Sequence, residues 1–263
     1  MDLGIKGETA LVVGASEGIG YESAKALLEE GVDLIICSRN AEKLKQAAAK
    51  LEQAVGRPVR WFAADVTKPA EVAALQAWLE QQTVKLDILV SAVGGSQRAL
   101  FNELDDAAWY ANYEFNVMGT VRVIRATLEM LKKSGAGRIV ILGAAGPRMP
   151  YPYQLVSNVH KAGLIAMVKT LGAEFQPFNI RVNSVSPGRT MTSLWTSRIE
   201  KLSKERGVPA AAIVDEFTHE IPLGRFAQPG EIAPMVAFLA SHKTSYVTCQ
   251  SILVDGGIAR GLV

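Results

Sequence analysis

Only two cysteines, Cys37 and Cys249, occur in the 263 residues, too few for a disulfide framework or a cysteine metal cluster. Histidine is scarce as well: His160, His219 and His242 stand without metal-ligand spacing, so no metal site is expected. No apolar run approaches the roughly 20 residues that cross a bilayer, which argues against a membrane span. Residues 1–7 carry charges and no apolar h-region, so no secretory signal and a cytoplasmic location are expected. Neither sign of charge dominates, with 28 Lys and Arg against 26 Asp and Glu, a net +2. Scattered charge of this kind speaks against a nucleic-acid or membrane-surface partner. Low-complexity stretches and Gly/Ser linkers are missing too, so residues 1–263 are expected to form one domain. A chain of this length, 49% hydrophobic, can bury a core large enough to need no staples.

Short β-branched runs alternate with longer amphipathic stretches. Strands are expected at residues 9–13, 33–37, 59–63, 87–90, 138–142, 180–185 and 251–254. Helical spacing fills the gaps, as at 41–55, where Leu44, Ala47, Ala48 and Leu51 recur on one face. A helix over 67–81 is expected to be capped by Thr67, with Pro69 in its first turn. Seven apolar strands alternating with helices imply an α/β, Rossmann-type, doubly wound parallel sheet with helices on both faces. The irregular stretch 189–226, with helical patterns at 193–206 and 210–220, lies beyond a strand's carboxyl end and is expected to be a substrate lid.

After the first strand runs Gly14-Ala15-Ser16-Glu17-Gly18-Ile19-Gly20, followed by helical spacing through Ala24, Leu27 and Leu28. Glycines so placed allow a tight turn and close approach of a pyrophosphate, which the N–H groups at the helix start then bind. Strand, loop and helix in that order make a phosphate cradle the favoured reading over a plain turn.

The loop is one residue wider than GxGxxG and resembles the TGxxxGxG loop of the short-chain dehydrogenase/reductase family, with Val13 in place of the threonine. The resemblance continues through Asp65-Val66, Asn116 in "FNVMG", the run from Asn183 to Pro187 and Gly188, Thr192, "IPLGRFAQPGEIA" and "VDGG". It implies a dinucleotide held by Gly14, Ser16, Gly18, Ile19, Gly20, Asp65, Val66, Gly94, Lys161, Pro187, Gly188 and Thr192. NAD enzymes of this topology place an acid at the end of the second strand. Here stand Cys37-Ser38-Arg39-Asn40. Arg39 suits a 2′-phosphate, while Glu17 would repel one. NADP is the favoured cofactor, with NAD as the alternative.

The family's catalytic lysine corresponds to Lys161, in "SNVHKAGL". Four residues earlier, where the family has its proton-donating tyrosine, stands Ser157; thirteen residues before that, in place of the orienting serine, stands Ala144. The paired asparagines after the fourth strand become Ser91-Ala92-Val93-Gly94. An aliphatic hydroxyl cannot be tuned toward neutrality as a phenol can. Tyr151 and Tyr153 are the obvious substitutes, although a helix starting at Pro152 would aim Tyr153 away from Lys161. Dienoyl-CoA reductases of the family also carry serine before the lysine, but their tyrosine corresponds to Gly146. Asn116, Ser157 and Lys161 are the catalytic candidates. The expectation is an atypical NADP-dependent oxidoreductase reducing a carbonyl or conjugated C=C bond of a small molecule. The alternative is a degenerate, cofactor-binding subunit of an active dehydrogenase. Either would assemble as a homotetramer or with a related chain, through the helices bearing Asn116 and Lys161.

Overall fold

The computed structural model describes residues 1–261. Seven strands, β1 (Thr9–Val13), β2 (Asp33–Ser38), β3 (Val59–Ala63), β4 (Ile88–Ser91), β5 (Arg138–Leu142), β6 (Arg181–Pro187) and β7 (Ser251–Val254), form one parallel sheet in the order β3-β2-β1-β4-β5-β6-β7. The helices are α1 (Gly18–Glu29), α2 (Ala41–Val55), α3 (Pro69–Gln82), α4 (Asp106–Tyr113), α5 (Gly119–Ser134), α6 (Leu155–Glu174), α7 (Ser193–Arg206), α8 (Ala210–Thr218) and α9 (Pro229–Leu239). No described helix is long and apolar enough to cross a membrane.

Alternate strand residues feed two cores, because successive side chains point to opposite faces. Val12, Ile36, Val90 and Val140 meet Leu27, Leu28, Ile232 and Val236 on the face covered by α1 and α9. Leu11, Val13, Ile35, Leu89 and Ile141 meet Leu75, Leu79, Val123, Leu164 and Val168 on the face of α3, α5 and α6. Burial on both faces is why the strands read as unbroken apolar runs. Strand order reverses between β1 and β4, and the loops leaving these strands spread apart there, opening a crevice at their carboxyl ends. α7 and α8 stand outside the sheet around their own apolar cluster of Trp195, Ile199, Ile213, Phe217 and Phe226.

Several expected boundaries move. β2 continues to Ser38, β4 sits one residue later, and β6 runs on to Pro187. Thr67 is not the cap of α3. Pro69 holds the first helical position, which makes the extended Lys68 the N-cap. Thr67 turns instead to Asp65, its hydroxyl donating to Oδ1 at 2.7 Å. α8 ends at Thr218 rather than 220.

Candidate functional site

The crevice is a cleft of about 880 Å³ that begins at the glycine loop and ends beside α6. Its first wall is bare backbone. Gly14 has φ +86°, and a Cβ there would lie 2.5 Å from the Ala92 carbonyl oxygen; one at Gly20 would lie 2.1 Å from the Gly14 carbonyl oxygen. Nothing larger than glycine fits either place. α1 starts without a side-chain cap and without an acid in its first turn, so its free N–H groups and positive dipole end face the loop. Thr192 closes the loop from above, its Cγ2 3.5 Å from where a Cβ on Gly18 would stand.

Next to this cradle, Ser38, Arg39, Asn40 and Lys43 line the cleft, with Asp65 and Val66 opposite. Glu17, suspect from the sequence because of its charge, lies 3.7 Å from the Lys43 ammonium. The Ser16 and Ser38 hydroxyls are 3.1 Å apart. Burial would raise the Asp65 carboxyl, but the Thr67 amide and hydroxyl, then Lys68 and Arg39, hold it below the usual carboxylate range. The Arg39 guanidinium lies 5.6 Å from the centre of the Phe115 ring.

At the far end, Ser157 and Lys161 sit one turn apart on the buried face of α6. The Lys161 ammonium donates to the Leu142 carbonyl at 3.2 Å. Burial pulls its pKa from 10.5 down to about 8. The Ser157 hydroxyl accepts from the Gln97 amide at 2.9 Å, which leaves its own hydrogen free to donate. Ala144 lines the cleft with them. Gly94, at φ +136°, has Lys161 Nζ and Asn116 Oδ1 only 2.5 and 2.6 Å from the position of a Cβ, so a side chain there would displace both.

Asn116 is the one expected site residue that does not line the cleft. It lies fully buried behind Gly94 and Gly95, in a π-helical turn over residues 114–118 that joins α4 to α5. Its Oδ1 accepts from the Gly95 amide at 3.1 Å, and its Nδ2 donates to the carbonyl oxygen and Oδ1 of Asn112, both at 3.1 Å. His160 Nδ1 stands 2.8 Å from the same Asn112 Oδ1. Since that oxygen already accepts one N–H, the histidine donates from Nδ1, which fixes its tautomer. Asn112 and His160 were not anticipated as parts of the site.

The two tyrosines separate. α6 begins at Leu155, not at Pro152, because Tyr153 adopts φ +65° and breaks the helical path ahead of it. Tyr153 is 53% exposed and does not line the cleft. Tyr151 does, and its buried hydroxyl has no hydrogen-bond partner among the described residues. Burial raises its pKa, with the Arg189 guanidinium opposing from 5.1 Å off the ring centre. Gly146 lies beside that ring: a Cβ on it would be 3.9 Å from Tyr151 Cδ2 and 2.5 Å from Asn158 Oδ1. Among the described residues no group of histidines, cysteines and acids is placed to hold a metal.

Residues 14–259 match the family model described as enoyl-(acyl carrier protein) reductase. A curated relative, the 2,3-dihydro-2,3-dihydroxybenzoate dehydrogenase of Bacillus subtilis, is 31% identical over 98% of both chains. This chain belongs to the short-chain dehydrogenase/reductase family. Among solved members of that family, L-sorbose reductase from Gluconobacter frateurii, complexed with NADPH and L-sorbose, superimposes with a TM-score of 0.96 over the whole of both chains at 32% identity. An NADPH-bound short-chain oxidoreductase of Pseudomonas aeruginosa, described as containing an atypical catalytic center, gives 0.89 over 97% of each chain at 29% identity.

Proposed function

We propose that this short-chain dehydrogenase/reductase is an NADP-dependent oxidoreductase, acting on the carbonyl or conjugated C=C bond of a small molecule without the family's usual phenol. The continuity of the cleft carries the reading: one trough runs from the uncapped start of α1 to the buried pair Ser157 and Lys161. The cradle fits a dinucleotide, since its wall is side-chain-free where backbone must approach phosphates. A 2′-phosphate suits Arg39, Asn40 and Lys43. The end of β2 holds no acid, and Glu17 lies within 3.7 Å of the Lys43 ammonium. The NADPH in both solved relatives supports the same cofactor.

When bound, the nicotinamide supplies the hydride. The residues of the chain orient and protonate. Lys161 would hold the ribose hydroxyls, and burial, which brings its pKa to about 8, eases the release of its proton. Ser157 points its free hydrogen at the substrate oxygen, and Ala144 adds no second donor. Asn116 acts as a positioning residue, fixing the Gly94–Gly95 backbone beside the lysine. Losing a positioned general acid costs about 10² to 10⁴ in rate, so simple ketones suffer most and conjugated acceptors least. α7 and α8 cover the substrate, and residues 1–263 work as one domain that assembles through α5 and α6.

Purified protein with NADPH is expected to reduce an enone or enoyl thioester faster than a simple ketone. The double substitution Ala144→Ser with Ser157→Tyr is expected to raise ketone reduction by about 10²-fold or more. No turnover of any acceptor by either protein would end the oxidoreductase reading and leave that of a cofactor-binding partner subunit.

A further inference from the structure

The charged side chains lining the cleft are unevenly distributed. Both acids, Glu17 and Asp65, belong to the nucleotide end, whereas the opposite end presents Arg98, Lys161, Arg189 and Arg198 with no acid among them. Two of these four cations are satisfied within the protein. Lys161 donates to the Leu142 carbonyl. Arg189 pairs with Glu220 at 2.9 Å, donates to the Phe217 carbonyl and lies over the Tyr151 and Phe217 rings. Arg98 and Arg198 are different. Neither guanidinium has a hydrogen bond or a carboxylate within 4.0 Å among the described residues.

Each is nevertheless held in place by an aromatic ring. Arg198 lies 4.7 Å from the centre of the Trp195 ring, and that ring is wedged edge-on against Phe217 and Phe226 at 5.0 and 4.9 Å. Arg98 lies 5.4 Å from the centre of Tyr153. A guanidinium held by a ring, with no hydrogen bond spent on the protein, has its N–H groups available for a carboxylate or phosphate, which it can bind through two parallel hydrogen bonds. Tyr153 thereby acquires a use: its unusual backbone carries the ring out from α6 to the guanidinium.

The arrangement is also costly when empty. Burial, then the charge of Arg98, lowers the pKa of Arg198; burial, then the charge of Arg189, lowers that of Arg98. Glu216 offsets part of this repulsion on Arg98, and an anionic ligand between the two guanidinium groups would relieve the rest.

We propose that Arg98 and Arg198 form an anion subsite that grips a carboxylate or phosphate of the substrate and so sets its reach to Ser157. The subsite rests on the oxidoreductase reading for its role but not for its chemistry, and the two are separable by experiment. NADP-loaded protein is titrated calorimetrically with malonate and with glycerol 3-phosphate, which tells a carboxylate preference from a phosphate preference. NADPH turnover is measured for acetoacetate against its ethyl ester, and for dihydroxyacetone phosphate against dihydroxyacetone. Losing a charge-assisted pair of hydrogen bonds corresponds to about 10- to 100-fold. Arg98→Gln with Arg198→Gln is therefore expected to weaken binding of the preferred anion by that factor. It is expected to erase the anionic-over-neutral preference in kcat/KM, with NADP affinity unchanged. Equal handling of charged and neutral probes by the unsubstituted protein would overturn the proposal. So would anion binding that survives both substitutions, or a loss of NADP affinity, which would give the arginines to the nucleotide. Arginine-dependent anion binding without reduction of any probe would uphold the subsite and remove the oxidoreductase reading.

Discussion

Lys161 shows how much a single residue is made to bear. Its ammonium is buried with one carbonyl for company, and its pKa falls from 10.5 to about 8. Between those values the unfolded chain holds a proton that the folded one has released, so stability rises with pH across that window. The penalty is present in full below about pH 8. At about 1.4 kcal/mol per unit it amounts to about 3 kcal/mol. Lys161→Met, which keeps the length and drops the charge, is expected to be the more stable protein at pH 7 by up to that amount. The advantage should shrink toward zero near pH 10, as urea melts at the two pH values will show. The same variant is expected to lose turnover. A stability difference that does not vary with pH would mean the ammonium is not desolvated. The residue is thus kept at a cost to the fold, as charged groups at working sites often are.

At the scale of elements, the π turn at residues 114–118 is the piece on which the site's alignment turns. The extra residue swings Asn116 inward to the Gly95 amide, and Asn112, one turn back, locks it while also tying in His160 of α6. Asn112→Ala takes the acceptor from His160 Nδ1 and one of the two acceptors from Asn116 Nδ2, and is expected to cost about 1 kcal/mol in denaturant melts. It should lower kcat more than substrate KM if the turn positions rather than binds. Burial lowers the pKa of His160, so the folded protein keeps it neutral while the unfolded chain takes up a proton near the ordinary value of 6.5. Stability is therefore lost as pH falls below that value, because the folded protein must then charge a partly buried ring.

Asn116 was legible through the family resemblance, but its partners Asn112 and His160 were not. A π turn adds one position to a helical pattern without changing its composition, and Asn112 and His160 are 48 residues apart. The strands, by contrast, were legible almost to the residue, because the central ones, buried on both faces, demand short continuous apolar runs. The glycine loop was legible for a similar reason, its constraint being steric and local. The start of α6 was not, since a tyrosine rather than a glycine takes the left-handed turn ahead of it. Lys43 and Arg198 stayed hidden too: each belongs to a helix whose register toward the cleft is decided by packing. Glu17, read as an obstacle to a 2′-phosphate, has a cationic partner 26 residues away that only the fold brings near.

Over the whole molecule, the outer faces of α5 and α6 leave a shallow apolar groove of about 300 Å³, bordered by Val121, Leu128, Met167 and Leu171. Exposed small residues of α6, Ala162, Gly163 and Ala166, would let a second helix pair approach closely. Light scattering is expected to give a mass of several times the 28.3 kDa chain. Leu128→Asp, which sets a charge in the groove, should reduce that mass toward a single chain while leaving the sheet's far-UV signal intact. A monomeric unsubstituted protein would remove assembly through this face.

The two ends of the cleft are built from different materials, and that difference bears on how such a protein can change. At the first end, Gly14 and Gly20 touch neighbouring main chain so closely that any mutation adding even a methyl group displaces the strand–helix junction. Variation there is closed off. The other end is furnished by side chains, those of Ser157, Tyr151, Arg98 and Arg198. Side chains can be exchanged at that end without touching the nucleotide seat, so libraries meant to redirect this protein belong on α7 and the loop after β4.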